Sequence, residues 1–343
     1  MIADRHLDIF AFPAASVPTG PLRTHFAIPA TSDDGMKSAP VSPILIATLW
    51  MVGTLLSFSG MAIAARQLSF HMGTFEILTF RSGIGLIILL PLVLRNRGSA
   101  MRTTKFKTHL SRNVVHFAAQ YGWVLGVALL PLAEVFALEF TMPIWAAILA
   151  VIALGERMTS ARIIAIIAGF AGVLIIVRPG HAVFNPASIV MLGAAFGFAT
   201  SVIWAKILVR TDSALTVIFY MTIIQLPMGL VPALFEWVPP VWANLPWFLI
   251  VGAGGLSAHY TLARALKLVD ATIVLPIDFL RLPLIAFVGF ALYGEALDLW
   301  VFLGAALIFG GGYHMVWRES RETRALAAAS TLADPADEES EQT

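Results

Sequence analysis

Four ionisable side chains lie deep inside long apolar stretches of this chain: Arg81, Glu139, Asp278 and Arg281. A charge at the centre of a membrane-spanning helix costs about 2.5–3.5 kcal/mol on insertion scales. Unpaired, the four would cost on the order of 10 kcal/mol together, comparable to the stability of a whole domain. They must face protein or water, and pairing is expected. Asp278 and Arg281 stand three residues apart, where side chains on one helix face are neighbours. Arg81 and Glu139 fall at a similar depth, roughly 10–14 Å below one end of their helices at about 1.5 Å per residue, and are expected to meet. Such groups can hold a polar substrate or carry a proton. They can also do no more than lock helices together.

A second set of polar residues shares these stretches: His116, Gln120 and Tyr121, with Trp123 close by, and His259 with Tyr260. Tyrosine, tryptophan and histidine beside a few charges suit a ligand with a flat or apolar part and some polar groups. Cysteine is absent, so thiol nucleophiles, disulfides and thiolate metal sites are excluded. No phosphate-loop, zinc-protease or nucleophile-elbow motif occurs, and neither a cofactor nor a metal is expected. A net charge of +1 gives no reason to expect nucleic acid.

The deep acids are related to one another. Residues 119–177 align without a gap on 258–316, 139 positions later, with eleven identities in 59 positions. Gln120-Tyr121 falls on His259-Tyr260, Glu139-Phe140 on Asp278-Phe279, and Gly155-Glu156 on Gly294-Glu295. Identity alone is weak in an apolar chain. The order and spacing of the polar matches make the case, and internal repeats in a membrane protein point to a transporter with its site where the repeats meet.

The elements that must position these residues are membrane helices. Hydrophobic residues make up 58% of the chain, charged residues 13%, and the mean hydropathy is +0.83. Soluble domains carry about 25% charged residues. Ten apolar spans are expected, at 42–65, 72–94, 112–131, 132–154, 159–177, 186–209, 213–235, 245–268, 271–293 and 297–317. The bilayer leaves no water for open backbone groups, so they are helices. With the N-terminus cytoplasmic, seventeen Lys and Arg fall inside and two, Arg66 and Arg178, outside, the bias expected of cytoplasmic loops. Both termini are therefore expected in the cytoplasm. Each half holds five spans, an odd number, so the second half enters from the opposite side and the repeat is inverted. The expected organisation is a disordered tail over 1–41, a first repeat over 42–180, a second over 181–318, and a disordered acidic tail over 319–343.

The two five-helix halves, the Gly-Glu closing the fourth helix of each, and the glycine-rich fifth helices (Gly169 and Gly172; Gly304 and Gly310-Gly311-Gly312) resemble the drug/metabolite transporter superfamily. The match is to its ten-helix form with two EamA-type repeats. The resemblance implies a bacterial inner-membrane carrier of small metabolites. It also implies a central cavity lined by the first four helices of each half, with the fifth helices peripheral. Expected partners are a small-molecule substrate and the lipid bilayer, with a homodimer through the glycine-rich fifth helices as a further expectation.

Other polar residues have plainer readings. Glu76 and Glu134 fall near helix ends and read as solvated mouth residues. Glu156 and Glu295 precede the fifth helices and read as caps of those helices, where an acid complements the helix dipole. Arg264 and Lys267 are expected to snorkel. Pro143, Pro227, Pro276 and Pro283 mark kinks. An integral membrane enzyme would need a cluster of catalytic side chains at one membrane face, and the histidines are scattered instead. A scaffold or sensor would need a soluble module, and about 41 residues of tail are too few.

Overall fold

A computed structural model describes residues 43–95, 101–155, 157–179, 185–269 and 271–333. The expected N-terminal tail and Glu156 lie outside these. Among the described residues the regular structure is helical: α1 (Pro43–Ser69), α2 (Thr74–Arg95), α3 (Phe106–Leu129), α4 (Leu132–Glu139), α5 (Met142–Leu154), α6 (Ser160–Val177), α7 (Ala187–Leu208), α8 (Ala214–Ala233), α9 (Leu245–Leu266), α10 (Ala271–Phe279), α11 (Arg281–Tyr293) and α12 (Leu299–Ala333). A short 3-10 turn, Trp242–Asn244, precedes α9. The chain after 318, expected to be an unstructured tail, continues α12 as far as Ala333. Its Ala-rich run, Ala325 to Ala329, has high helix propensity.

Eight segments are long and apolar enough to cross a bilayer: α1, α2, α6, α7, α8, α12, and the composite stretches Leu132–Ala153 (α4 with α5) and Thr272–Tyr293 (α10 with α11). Helices α3 and α9, at 24 and 22 residues, have the length. They fall short in apolarity because α3 carries Arg112, Asn113, His116 and Gln120, and α9 carries His259, Arg264 and several glycines. The two less apolar helices thus bear five of the nine candidate site residues, His116, Gln120, Tyr121, His259 and Tyr260.

The two composite stretches break at corresponding places. Proline has no N–H to bond the carbonyl four residues back. Pro143 therefore releases Glu139, the last residue of α4, and Pro283 releases Phe279, the last residue of α10. Near the first break the chain tightens: the Thr141 N–H donates to the Leu138 carbonyl at 3.1 Å, and its hydroxyl donates to the same oxygen at 2.7 Å. At the second break the Leu280 N–H donates to the Ile277 carbonyl at 3.1 Å. The Phe140 and Phe279 rings meet across the two breaks at 5.4 Å. Further along, Gly155 and Gly294 end α5 and α11 in the left-handed conformation, φ 68° and 64°. That region strains residues with a Cβ, which explains the repeated glycine of the Gly-Glu pair.

Packing follows a regular scheme. Helix α1 packs on α9, α3 on α7, α2 on α8, α4 on α11, and α6 on α12. The last pair is very close. A Cβ on Gly172 would come 2.5 Å from the Gly304 carbonyl oxygen, one on Gly304 would come 2.6 Å from that of Gly172, and one on Gly311 would come 2.8 Å from Ala168. These glycines are spent inside the chain, whereas a Cβ on Gly310 or Gly312 would meet nothing within 4 Å.

Polar ties close both ends of the bundle. At one end Arg66 pairs with Glu295 at 2.9 Å and donates to the Leu130 carbonyl. Glu295 accepts the Leu132 N–H at 2.8 Å. Glu295 was expected to cap the last span, and it caps α4 instead. Asp298, which accepts the Trp300 N–H at 2.9 Å and pairs with Arg178, does the capping at α12. Glu134 accepts from Ser188 at 2.6 Å, and Glu76 from the Val238 N–H at 3.3 Å. Both acids, expected to be solvated, have protein partners, and Glu76 is buried. At the other end Asp212 accepts from Thr103 at 2.6 Å and bonds His109 at 2.7 Å. Burial works to raise the Asp212 carboxyl, but hydrogen bonds from Thr103, His109 and Thr211 outweigh it and hold the group below its ordinary value.

Candidate functional site

Glu139 and Asp278 converge on one guanidinium. Arg281 opens α11 and lies 3.3 Å from Glu139 and 3.3 Å from Asp278. The Asp278–Arg281 pair expected from spacing forms. The expected Arg81–Glu139 pair does not: packing α4 on α11 hands Glu139 to Arg281. Equal depth fixes how far down two side chains lie, and says nothing about which helices are neighbours.

Arg281 is buried, and its guanidinium sits over three aromatic rings, Phe58, Phe136 and Phe140, at 4.8, 5.0 and 5.2 Å from their centroids. Ring faces attract a cation, and more strongly away from water. Trp123 donates its indole N–H to Glu139 at 2.7 Å. Glu139 and Asp278 remain partly accessible, and the second carboxylate oxygen of Asp278 has no partner among the described residues. The cluster holds two acids for one base.

Arg81, on α2, donates to the Gln120 side-chain carbonyl at 2.9 Å. No carboxylate lies within ion-pair distance of it among the described residues. Its guanidinium lies against α9 at Gly255, where a Cβ would come 3.0 Å from one terminal nitrogen. Arg81 acts electrostatically on His116 and His259. His116, buried on α3, bonds Gln225 at 3.0 Å, and Gln225 donates to Asn113 at 3.1 Å. His259 packs edge-on against Phe58 at 5.7 Å, yet its side chain is accessible, as is that of Arg81 in part. Phe58 thus stands between His259 and Arg281 and links the two charged centres.

The tyrosines separate. Tyr121 packs on Phe75 at 4.6 Å, and Tyr260 packs edge-on against Trp50 at 5.8 Å and is 57% exposed. Of the nine expected site residues, Glu139, Asp278 and Arg281 form one cluster, Arg81 and Gln120 a second, and His116 bonds Gln225. His259 lies against Phe58 beside the first cluster, and the tyrosines stand apart. Sequence reasoning missed Phe58, Arg112, Asn113 and Gln225. A polar stripe on α3, with Arg112, His116 and Gln120 four residues apart, could have revealed Arg112. An open apolar groove between α3 and α8, lined by Phe106, Leu110, Phe219 and Met228 among others, contains none of the nine.

The EamA-like transporter family matches the chain twice, over residues 45–178 and 185–317. The chain belongs to the EamA-like transporter family. It is a multi-pass membrane protein and a transporter, not an enzyme. It is similar to the S-adenosylmethionine uptake transporter of Rickettsia bellii (strain RML369-C), 27% identical over 79% of this chain and 94% of that protein. It is also similar to the riboflavin transporter of Vibrio cholerae serotype O1, 31% identical over 76% of this chain and 89% of the relative. A solved crystal structure covers 80% of the chain and 98% of its own length at 19% identity with a TM-score of 0.56, a likeness of fold alone.

Proposed function

We propose that this EamA-family protein is a secondary carrier of a small polar or amphipathic metabolite. In this reading it works by alternating access at the site around Arg81, His116, Gln120, Tyr121, Glu139, His259, Tyr260, Asp278 and Arg281. The relatives named for S-adenosylmethionine and riboflavin make those two compounds the first to test. The proposed architecture is ten spans in two inverted five-helix repeats, 42–180 and 181–318, set in the inner membrane with both termini cytoplasmic.

One observation carries the reading. Repeat-equivalent acids, Glu139 and Asp278, stand at the breaks of two discontinuous helices and share Arg281. Carriers built from inverted repeats bind substrate and coupling ions at broken helices near the midplane. The packing scheme supports the repeat. Exchanging spans 1–5 with 6–10 turns the α1–α9 pair into α7–α3 and returns the other three pairs to themselves. Two acids around one base leave one carboxylate in excess. That excess acid, Glu139 or Asp278, is the proposed proton carrier.

The test is uptake of labelled S-adenosylmethionine and riboflavin into proteoliposomes, with and without an imposed pH gradient. Substrate-driven proton movement is expected in wild type and its loss in Glu139→Gln or Asp278→Asn. Substrate movement with no proton flux and no response to the gradient would reduce the acids to binding or structural groups.

A further inference from the structure

Resting on that carrier reading, we propose that the transported molecule bears an anionic group, a carboxylate or a phosphate, and that Arg81 receives it. Two other interior arginines have acids: Arg66 has Glu295, and Arg281 has Glu139 and Asp278. Among the described residues, Arg81 has the neutral Gln120 and no acid. Arg112, two turns along α3 from Gln120, is buried with one guanidinium nitrogen unpartnered, and its Nε donates to the Ser201 carbonyl at 3.3 Å. No carboxylate lies within ion-pair distance of either guanidinium among the described residues, and the titratable neighbours that act on this region, His116 and His259, add no negative charge. Two interior cations therefore lack a counter-charge.

The geometry around Arg81 suits a docking group better than a structural one. A guanidinium presents five N–H donors in a planar fork that matches carboxylate and phosphate oxygens. One donor goes to Gln120, which together with the close α9 backbone at Gly255 fixes the plane and leaves donors free. Arg81 and His259 stay accessible between helices, so a ligand can reach them. An acid at position 120 would have satisfied Arg81 within the protein. Gln120 orients the guanidinium while leaving its charge unspent, a local cost to stability of the sort found at functional sites. Arg112, on the same stripe of α3, extends the positive field toward one end of the helix.

The test uses the purified full chain and matched probes that differ in one anionic group: S-adenosylmethionine against its decarboxylated form, and riboflavin 5′-phosphate against riboflavin. A ligand that binds the folded state raises the unfolding midpoint by mass action. At least one member bearing the anionic group is expected to raise it and to bind ten-fold or more tighter than the partner that lacks the group, and the pair that discriminates tells carboxylate from phosphate. Arg81→Gln and Gln120→Glu should both abolish the discrimination. They should unfold at or above the wild-type midpoint without ligand, since the first removes an uncompensated interior charge and the second supplies its counter-charge, which a merely structural Arg81 would not allow. Arg81→Lys should retain part of the binding. Probes lacking the anionic group binding within two-fold of their partners, neither probe that bears the group shifting wild type, or discrimination that survives in Arg81→Gln would overturn the proposal. Flux of a neutral substrate with no anionic preference would leave the carrier reading standing while this one fell.

Discussion

Arg281 does at the residue scale what two separate pairs were expected to do. One buried cation answers both Glu139 and Asp278 and is enclosed by Phe58, Phe136 and Phe140. Removing one partner of a buried ion pair costs about 3–5 kcal/mol, because it strands a charge. Arg281→Gln would strand two like charges, so its thermal midpoint in detergent is expected to fall steeply. Glu139→Gln should cost much less, since Arg281 keeps Asp278. Adding Glu139→Gln and Asp278→Asn to the Arg281 variant should recover most of the loss. An Arg281→Gln protein as stable as wild type would show that the carboxylates do not depend on it. The Asp278–Arg281 contact was legible in the sequence because helical spacing alone specifies it. The Glu139 partner was not, because helix azimuth and neighbour choice leave no mark in a depth count. Phe58 was invisible for a related reason: one phenylalanine in an apolar helix looks like any other until packing turns it inward.

Broken helices and glycine contacts are what the elements add. Prolines and the Gly-Glu pairs were readable as punctuation, and backbone chemistry gives them their form: Pro143 and Pro283 free a carbonyl at each break, and Gly155 and Gly294 take φ values that a Cβ would strain. The role of Glu295 was misread because a cap was assigned to the nearest helix in sequence, while folding brings α4 closer. The glycines of α6 and α12 offer a clean contrast. Gly172→Ala would push a methyl into the Gly304 carbonyl, and overpacking of this kind costs about 1–3 kcal/mol. Gly310→Ala meets open space and removes a flexible residue from a helix, so it should be neutral or slightly stabilising. Thermal unfolding of the two variants side by side separates them. Equal effects would mean that the α6–α12 contact is not close enough to need glycine. The homodimer once expected of these glycines has only Gly310 and Gly312 left to use.

For the whole molecule, the issue is which face each end of the bundle presents and whether the central site opens to both. The sequence contains no cysteine, so single cysteines can be placed in an otherwise native chain. Gly73 is exposed with no atom within 4 Å of an added Cβ, and Lys267 is exposed at the end of α9. If the N-terminus is cytoplasmic, Gly73→Cys should react with a membrane-impermeant maleimide in intact cells and Lys267→Cys only after lysis. The reverse pattern would invert the proposed topology. The informative position for mechanism is His259, which is accessible although it packs against Phe58 in the bundle. Alternating access predicts that His259→Cys reacts with a small charged thiol reagent from either side, and that bound substrate slows labelling from both. Ties at both ends of the bundle, Arg66–Glu295 at one and Asp212–His109 at the other, are where that exchange would be gated. Glu295→Gln should therefore raise the labelling rate from the Gly73 side several-fold while leaving the opposite side unchanged. Labelling of His259→Cys from one side only, indifferent to substrate and to Glu295→Gln, would rule out a site that changes faces.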